Sequence, residues 1–270
     1  MNHTTNASRP EGIPPQALTI AGSDSCGGAG IQADIKTMTL FGVQAATVLT
    51  AVTAQNTAGV HAVRGLDSQF VADQLDAVMD DLTVGAIKTG MLASAQLIET
   101  IADRLPDGKH PPLVLDPVMV ATSGARLLES SAEKALIERL LPKACLITPN
   151  LPEAAVLTGL SEESPAEAMA ERLLKAGCQA VLIKGGHRRD EQVVDQLFSG
   201  DGIIEFVHPR VAGELHGTGC SLSAAIAAGL AKGDSLAGAT STAIEWLHQR
   251  IQGRWLTRHG QIAMLDLAGR

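Results

Sequence analysis

Leu113-Val114-Leu115-Asp116 and Ala180-Val181-Leu182-Ile183-Lys184 are unbroken apolar runs that end on a charged residue. A strand with one wet face alternates apolar and polar residues, whereas a strand covered on both faces is apolar throughout, as in parallel sheets sandwiched between helices. Working outward, each such run adjoins an amphipathic segment. Leu113–Asp116 precedes a helical stretch at Ser131–Leu141, Cys145–Thr148 precedes Pro152–Leu157, and Ala166–Ala176 leads into Ala180–Lys184. Upstream the order repeats: Ala17–Ala21 then Gly30–Phe41, Ala45–Val52 then Gln69–Leu82, Val84–Lys88 then Ala95–Leu105. Strand-helix alternation of this kind predicts an α/β fold, a three-layer α/β/α sandwich with a central, mainly parallel, doubly wound sheet. Val193–Phe198 and Ile203–Val207, separated by Ser199-Gly200-Asp201-Gly202, read as an antiparallel edge hairpin. Helices take up the rest through Gln252.

The chain has 270 residues, 45% of them hydrophobic, enough for one large core. We read residues 1–15 as a loose polar tail and residues 16–270 as a single domain. A net charge of −8 without a Lys/Arg cluster argues against nucleic acid or an anionic membrane as partner, so any phosphate must be held locally. The absence of tyrosine, with only four Phe and two Trp, argues likewise against base-stacking platforms. No stretch is apolar enough to span a bilayer, and the first residues do not read as a signal peptide. Cys26, Cys145, Cys178 and Cys220 lack zinc-ligand spacing, which fits a reducing, cytoplasmic compartment.

In open α/β sheets ligands gather at the carboxyl ends of the strands, and here those ends carry glycine or polar residues throughout. The most specific is Gly217-Thr218-Gly219-Cys220, a turn without bulky side chains that opens an Ala/Leu/Ile/Ser/Gly-rich helix, Ser221 to Ala231. The first amides of a helix lack internal acceptors and carry the positive end of its dipole, so this turn suits a phosphate. Cys220 sits where a thiolate is favoured, and is either a proton acceptor or a small capping residue. A dinucleotide-binding oxidoreductase is disfavoured because the first loop reads Gly27-Gly28-Ala29-Gly30 rather than G-x-G-x-x-G, and no P-loop G-x-x-x-x-G-K-[ST] occurs.

The ordered set AGSDSCGGAGIQADIKT (21–37), TAQNTAGV (53–60), KTGML (88–92), LDPVMVATSG (115–124), LITPNLPEA (146–154), VLIKGGH (181–187) and HGTGCSLSAAIAAGLAKG (216–233) resembles the ribokinase-like superfamily. Within it, the set resembles the hydroxymethylpyrimidine/phosphomethylpyrimidine kinases of thiamine biosynthesis. The resemblance implies a ribokinase-like fold, a homodimer, ATP as co-substrate and Mg2+ as cofactor. It implies two successive phosphorylations, of a hydroxymethyl group and then of the resulting phosphate. It casts Gly217, Thr218, Gly219 and Cys220 as catalytic, with Cys220 the base for the first transfer. The second acceptor is already ionised and needs no base. Lys184, Thr218 and Asn150 fall to the nucleotide, and Asp116 and Glu153 to the metal, an assignment consistent with the oxygen ligands that Mg2+ takes. Asn150 and Glu153 equally suit a helix cap and its reciprocal partner, and Lys184 a solvated strand end.

Pyrimidine recognition calls for a group that donates and accepts at once, which Gln55 does. The resemblance places Gln55 against the aminopyrimidine and Gly22, Ala29, Met91 and Val118 around the ring, with Asp34 facing it as well. Met91 and Val118 serve equally as core packing. Asp24 either sits near the acceptor or steadies the glycine turn. Rival readings are a pyridoxal kinase of the same branch, which Gln55 disfavours, and a noncatalytic pyrimidine-binding regulator. Thr122-Ser123-Gly124-Ala125 and the loop Gly186-His187-Arg188-Arg189 are the segments expected to close over a substrate. The fused thiamine-phosphate synthase module of some such kinases is expected to be missing.

Overall fold

The computed structural model describes residues 12–120, 130–187, 191–258 and 262–268. The expected tail, residues 1–15, and the two expected flaps fall wholly or partly outside them. The chain runs β1 (Gln16–Ser23), α1 (Gly30–Leu40), β2 (Gln44–Asn56), β3 (Gly59–Gly65), α2 (Ser68–Asp81), β4 (Ala86–Thr89), α3 (Ala95–Asp103), β5 (Leu113–Leu115) and α4 (Ser130–Ala135). It continues through β6 (Leu146–Ile147), α5 (Leu151–Thr158), α6 (Ala166–Lys175), β7 (Ala180–Ile183), β8 (Gln192–Ser199), β9 (Gly202–Pro209), β10 (Leu215–His216), α7 (Thr218–Lys232), α8 (Leu236–Gln252), β11 (Trp255–Leu256) and β12 (Ala263–Met264). Among the described residues, nine strands form one sheet in the order β3-β2-β1-β4-β5-β6-β7-β8-β9. The six from β2 to β7 in that order are mutually parallel, and β3 at one end and β8 and β9 at the other are antiparallel to their neighbours.

The apolar runs behave as two-faced strands must. Leu113 and Leu115, Ile147, and Val181 and Ile183 pack with α2 to α6. Their alternates Val114, Leu146, Ala180 and Leu182 pack with α1, α7 and α8. Successive side chains leave a strand on opposite faces, so both layers are needed to dry a run with no polar alternation. Helix α7 can lie against the middle of the sheet because Ala224, Ala225, Ala227 and Ala228 are small and fully buried. Helix starts are fixed by side chains: Asp67 accepts from the Gln69 and Phe70 amides, Ser94 from Leu97 and Ser235 from Gly238.

Three features depart from the sequence reading. β2 continues to Asn56, four residues beyond the expected end at Val52, and turns into the second hairpin strand β3. The Asn56 side chain closes that turn by accepting from the Ala58 and Gly59 amides. The helix expected over Ser131–Leu141 shifts register after α4, passing through a π-turn at Leu136–Leu140 into a 3-10 turn at Leu141–Lys143. Pro142 has no amide to continue a regular ladder. A second, three-stranded sheet, β10-β12-β11, brackets α7 and α8, with β11 and β12 beyond Gln252, where the sequence reading had no element.

Candidate active site

β1 and β4 are neighbours from which the chain proceeds to opposite sides, so the sheet has its switch point there, with a crevice beyond the carboxyl ends. A cleft of about 900 Å³ occupies that place. Of the residues singled out in the sequence, Gly22, Ala29, Gln55, Met91, Asp116, Val118, Asn150, Glu153, Lys184 and Gly217 to Cys220 all line it. Asp34 does not.

The mouth of α7 forms one wall. Gly217 adopts the left-handed region with φ 79°, and α7 starts at Thr218 with no capping side chain at its N-cap among the described residues. A Cβ at Gly217 would overlap the Gly28 carbonyl oxygen, so only glycine lets the β1–α1 loop cross the helix entrance this closely. Cys220 departs from the expectation that its thiolate is favoured. Burial pushes its thiol up to about 11, and Lys88 and the Gly30 amide only partly offset burial and the nearby Asp34 and Asp116 carboxylates.

Opposite stands a charged group from three strand ends. Asp116, following β5, accepts from Ser223 Oγ at 3.2 Å and Thr148 Oγ1 at 3.4 Å. Lys184 Nζ, following β7, lies 3.5 Å from Asp116 Oδ1 and 3.9 Å from Glu153 Oε2. Burial opposes the Lys184 charge, but the two carboxylates outweigh it and raise its proton affinity. Asn150 and Glu153 form a complete capping box at α5, each side chain accepting from the other's amide at 2.9 Å. The cap and the cleft lining are thus one pair of side chains. Burial, with Asp116 beside it, pushes the Glu153 carboxyl up to about 7 against the pull of Lys184 and the Asn150 amide.

At the other end, Gln55 is fixed through its backbone: its carbonyl accepts from Ser25 Oγ and its amide donates to the same oxygen, both at 2.8 Å. Met91 is anchored by Thr50 Oγ1, which donates to its carbonyl at 2.6 Å, and its methyl group lies where a Cβ on Gly22 would be. Met91 is both cleft lining and nearly buried packing, so its two sequence readings merge. Asp24 steadies the glycine turn: it accepts from the Cys26, Gly28 and Ala29 amides and from His216 Nε2. Although burial opposes its charge, His216 and those amides hold its carboxyl well below the usual carboxylate range.

Asp34 requires a correction. Its carboxylate is wholly buried beneath the cleft, taking 2.8 and 2.9 Å contacts from Lys88 Nζ and a 2.5 Å hydrogen bond from Thr19 Oγ1. A helical position facing the sheet leads its side chain to the strand lysine rather than to the cleft. Burial opposes the Lys88 charge, yet Asp34, Cys220 and Asp116 more than restore it. Lys88, His216 and Ser223 were not assigned roles from sequence. A lysine inside the fully buried β4 was the one available signal for the first, and the other two depend on contacts across 192 and 107 residues.

Among the described residues, no helix is long and apolar enough to cross a membrane. The sequence profile of the family described as "Phosphomethylpyrimidine kinase" matches residues 24–264. A "Hydroxymethylpyrimidine/phosphomethylpyrimidine kinase" of Rhizobium meliloti is 51% identical over 87% of this chain and 90% of its own length. The phosphomethylpyrimidine kinase structure from Clostridium difficile superposes with a TM-score of 0.77 at 40% identity, covering 87% of this chain and 99% of that one. An ADP complex of Bacillus subtilis pyridoxal kinase superposes at 0.87 with 34% identity, covering 95% and 98%. With the profile spanning nearly the whole chain and relatives of the same name at such identity, the chain belongs to the phosphomethylpyrimidine kinase family and is a phosphotransferase.

Proposed function

We propose that this chain transfers the γ-phosphoryl group of ATP to 4-amino-5-hydroxymethyl-2-methylpyrimidine and then to the resulting monophosphate, in thiamine biosynthesis. The observation that carries the proposal is that one cleft holds three things: the uncapped mouth of α7, the Asp116–Lys184–Glu153 group, and Gln55 with Met91. Phosphoryl transfer asks mainly for positioning and charge neutralisation. The amides of Thr218, Gly219 and Cys220 offer donors to the phosphoryl oxygens in flight, while Lys184 neutralises charge on the nucleotide and Asn150 lines the same end. Gln55 reads the donor and acceptor edge of the pyrimidine, with Gly22, Ala29, Met91 and Val118 around the ring. Cys220 takes the hydroxyl proton in the first transfer.

Asp116 and Glu153 offer an all-oxygen donor set, which suits Mg2+. When bound, the ion supplies electrostatic stabilisation to the phosphate oxygens. An ADP-bound pyridoxal kinase shares the fold at 34% identity, which supports ATP as donor and keeps pyridoxal as a second acceptor to be measured. Four free cysteines fit a cytoplasmic enzyme, and the proposal includes a homodimer, readable by light scattering. The deciding experiment gives purified protein ATP and Mg2+ with hydroxymethylpyrimidine or pyridoxal, and separates mono- from diphosphate. Diphosphate from the pyrimidine is expected. Preference for pyridoxal would overturn the substrate, and nucleotide-independent pyrimidine binding without transfer would overturn the catalysis.

A further inference from the structure

Where the β1–α1 loop crosses the strand leading into α7, three different metal-ligating atoms converge. Asp24 Oδ2 lies 2.9 Å from His216 Nε2 and 3.5 Å from Cys26 Sγ. All three atoms lie within 4.8 Å of one another. Around a tetrahedral zinc ion, with bonds of about 2.0 Å to nitrogen and oxygen and about 2.3 Å to sulfur, such neighbours stand about 3.3 and about 3.5 Å apart. The sulfur is already at that spacing from the carboxylate, and the imidazole nitrogen, within 4.8 Å of the sulfur, needs to retreat from the carboxylate by about 0.4 Å.

We propose that Asp24, Cys26 and His216 form a binding site for one divalent transition-metal ion of the zinc class. The site is prebuilt. The Gly28 and Ala29 amides fix Asp24 Oδ2, the Cys26 amide fixes Oδ1, and the Asp24 and His216 side chains are nearly buried. Supporting hydrogen bonds of this kind orient first-contact ligands. Thiolate and imidazole select zinc, cobalt or copper over magnesium, whereas the all-oxygen Asp116–Glu153 pair suits Mg2+. On binding, the Cys26 thiol releases its proton to solvent, and His216 carries its N–H on Nδ1 while Nε2 donates its lone pair. Three protein ligands leave a fourth position, and Asp24 and His216 both line the substrate cleft. The ion would tie the glycine loop to the entrance of α7, so zinc slows turnover. That consequence rests on the proposed kinase reaction, whereas binding does not.

The test uses the whole chain, stripped with EDTA and free of nucleotide, titrated with Co2+ alone and then Zn2+. Expected are one cobalt per chain, a thiolate-to-cobalt charge-transfer band that zinc abolishes, and zinc protection of Cys26 from iodoacetamide in peptide mass spectra. Cys26→Ser should lose the band and weaken zinc binding by about 100-fold or more, while Cys220→Ser keeps both. Protection is read on the unmodified protein, so the proposal stays testable should Cys26→Ser misfold. Sub-stoichiometric cobalt, an unprotected Cys26, or a band that disappears with Cys220 rather than Cys26 would overturn it. A failed product assay with intact cobalt binding would sink the kinase reading alone.

Discussion

Cys220 holds its proton more tightly than a free thiol because burial and two carboxylates outweigh Lys88 and one amide. With the thiol near 11, thiolate is about one part in ten thousand at neutral pH, so a base at this position works better as pH rises. The first phosphorylation should therefore gain in kcat/KM between about pH 7 and about pH 9, while the second, onto an acceptor already ionised, stays flat. Cys220→Ala should lower the first step by about 100-fold and remove its pH slope. Equal losses in both steps would remove Cys220 from the proton path. Glu153 is the second titrating group. Its carboxyl, raised to about 7, holds a proton in the folded state that an unfolded chain releases near 4.5, so stability falls as pH rises through that window. Glu153→Gln keeps a residue fit for the capping box and removes the charge. Its melting temperature should exceed that of the parent at pH 8 and match it below about pH 4.5, while Mg2+-dependent turnover drops by about tenfold or more. Residue types at strand ends were legible in the sequence because glycine and polar residues there have few other uses. The state of each group was not: the Cys220 thiol and the Asp34 carboxylate are governed by neighbours from other elements, which spacing along one element does not reveal.

At the scale of elements, α7 is held by a glycine at its entrance rather than by a capping side chain. Gly217→Ala must place a methyl group in the left-handed region and against the Gly28 carbonyl. We expect a loss of about 2 kcal/mol or more in unfolding free energy, read by urea melts, with nucleotide affinity falling as the loop moves off the helix. A melt within 0.5 kcal/mol of the parent would show that the loops part freely. The central strands were legible because burial on both faces leaves a continuous apolar signature in a few residues. β3 escaped notice because its residues are largely exposed and without a clear alternating pattern. β10, β11 and β12 are two residues each, too short for any periodicity to register.

Over the whole molecule, buried charge is concentrated where the sheet reverses. Lys88 on β4 and Asp34 on α1 are both without solvent exposure and join the switch-point strand to the helix layer. Removing one partner strands the other, so Lys88→Met should cost about 3–5 kcal/mol. Asp34→Leu/Lys88→Met should recover most of that in a denaturant titration, and a double variant no better than the single would mean that the pair contributes net stability. The overall α/β architecture followed from the order of apolar runs, whereas this pair joins positions 54 residues apart and is a product of the folded arrangement. The contact between Asp24 and His216 spans 192 residues. At about 5–20 residues per second, a ribosome displays the glycine loop for roughly 10–40 s before its imidazole partner exists. A growing polypeptide thus carries an open, unlatched loop until His216 has been added.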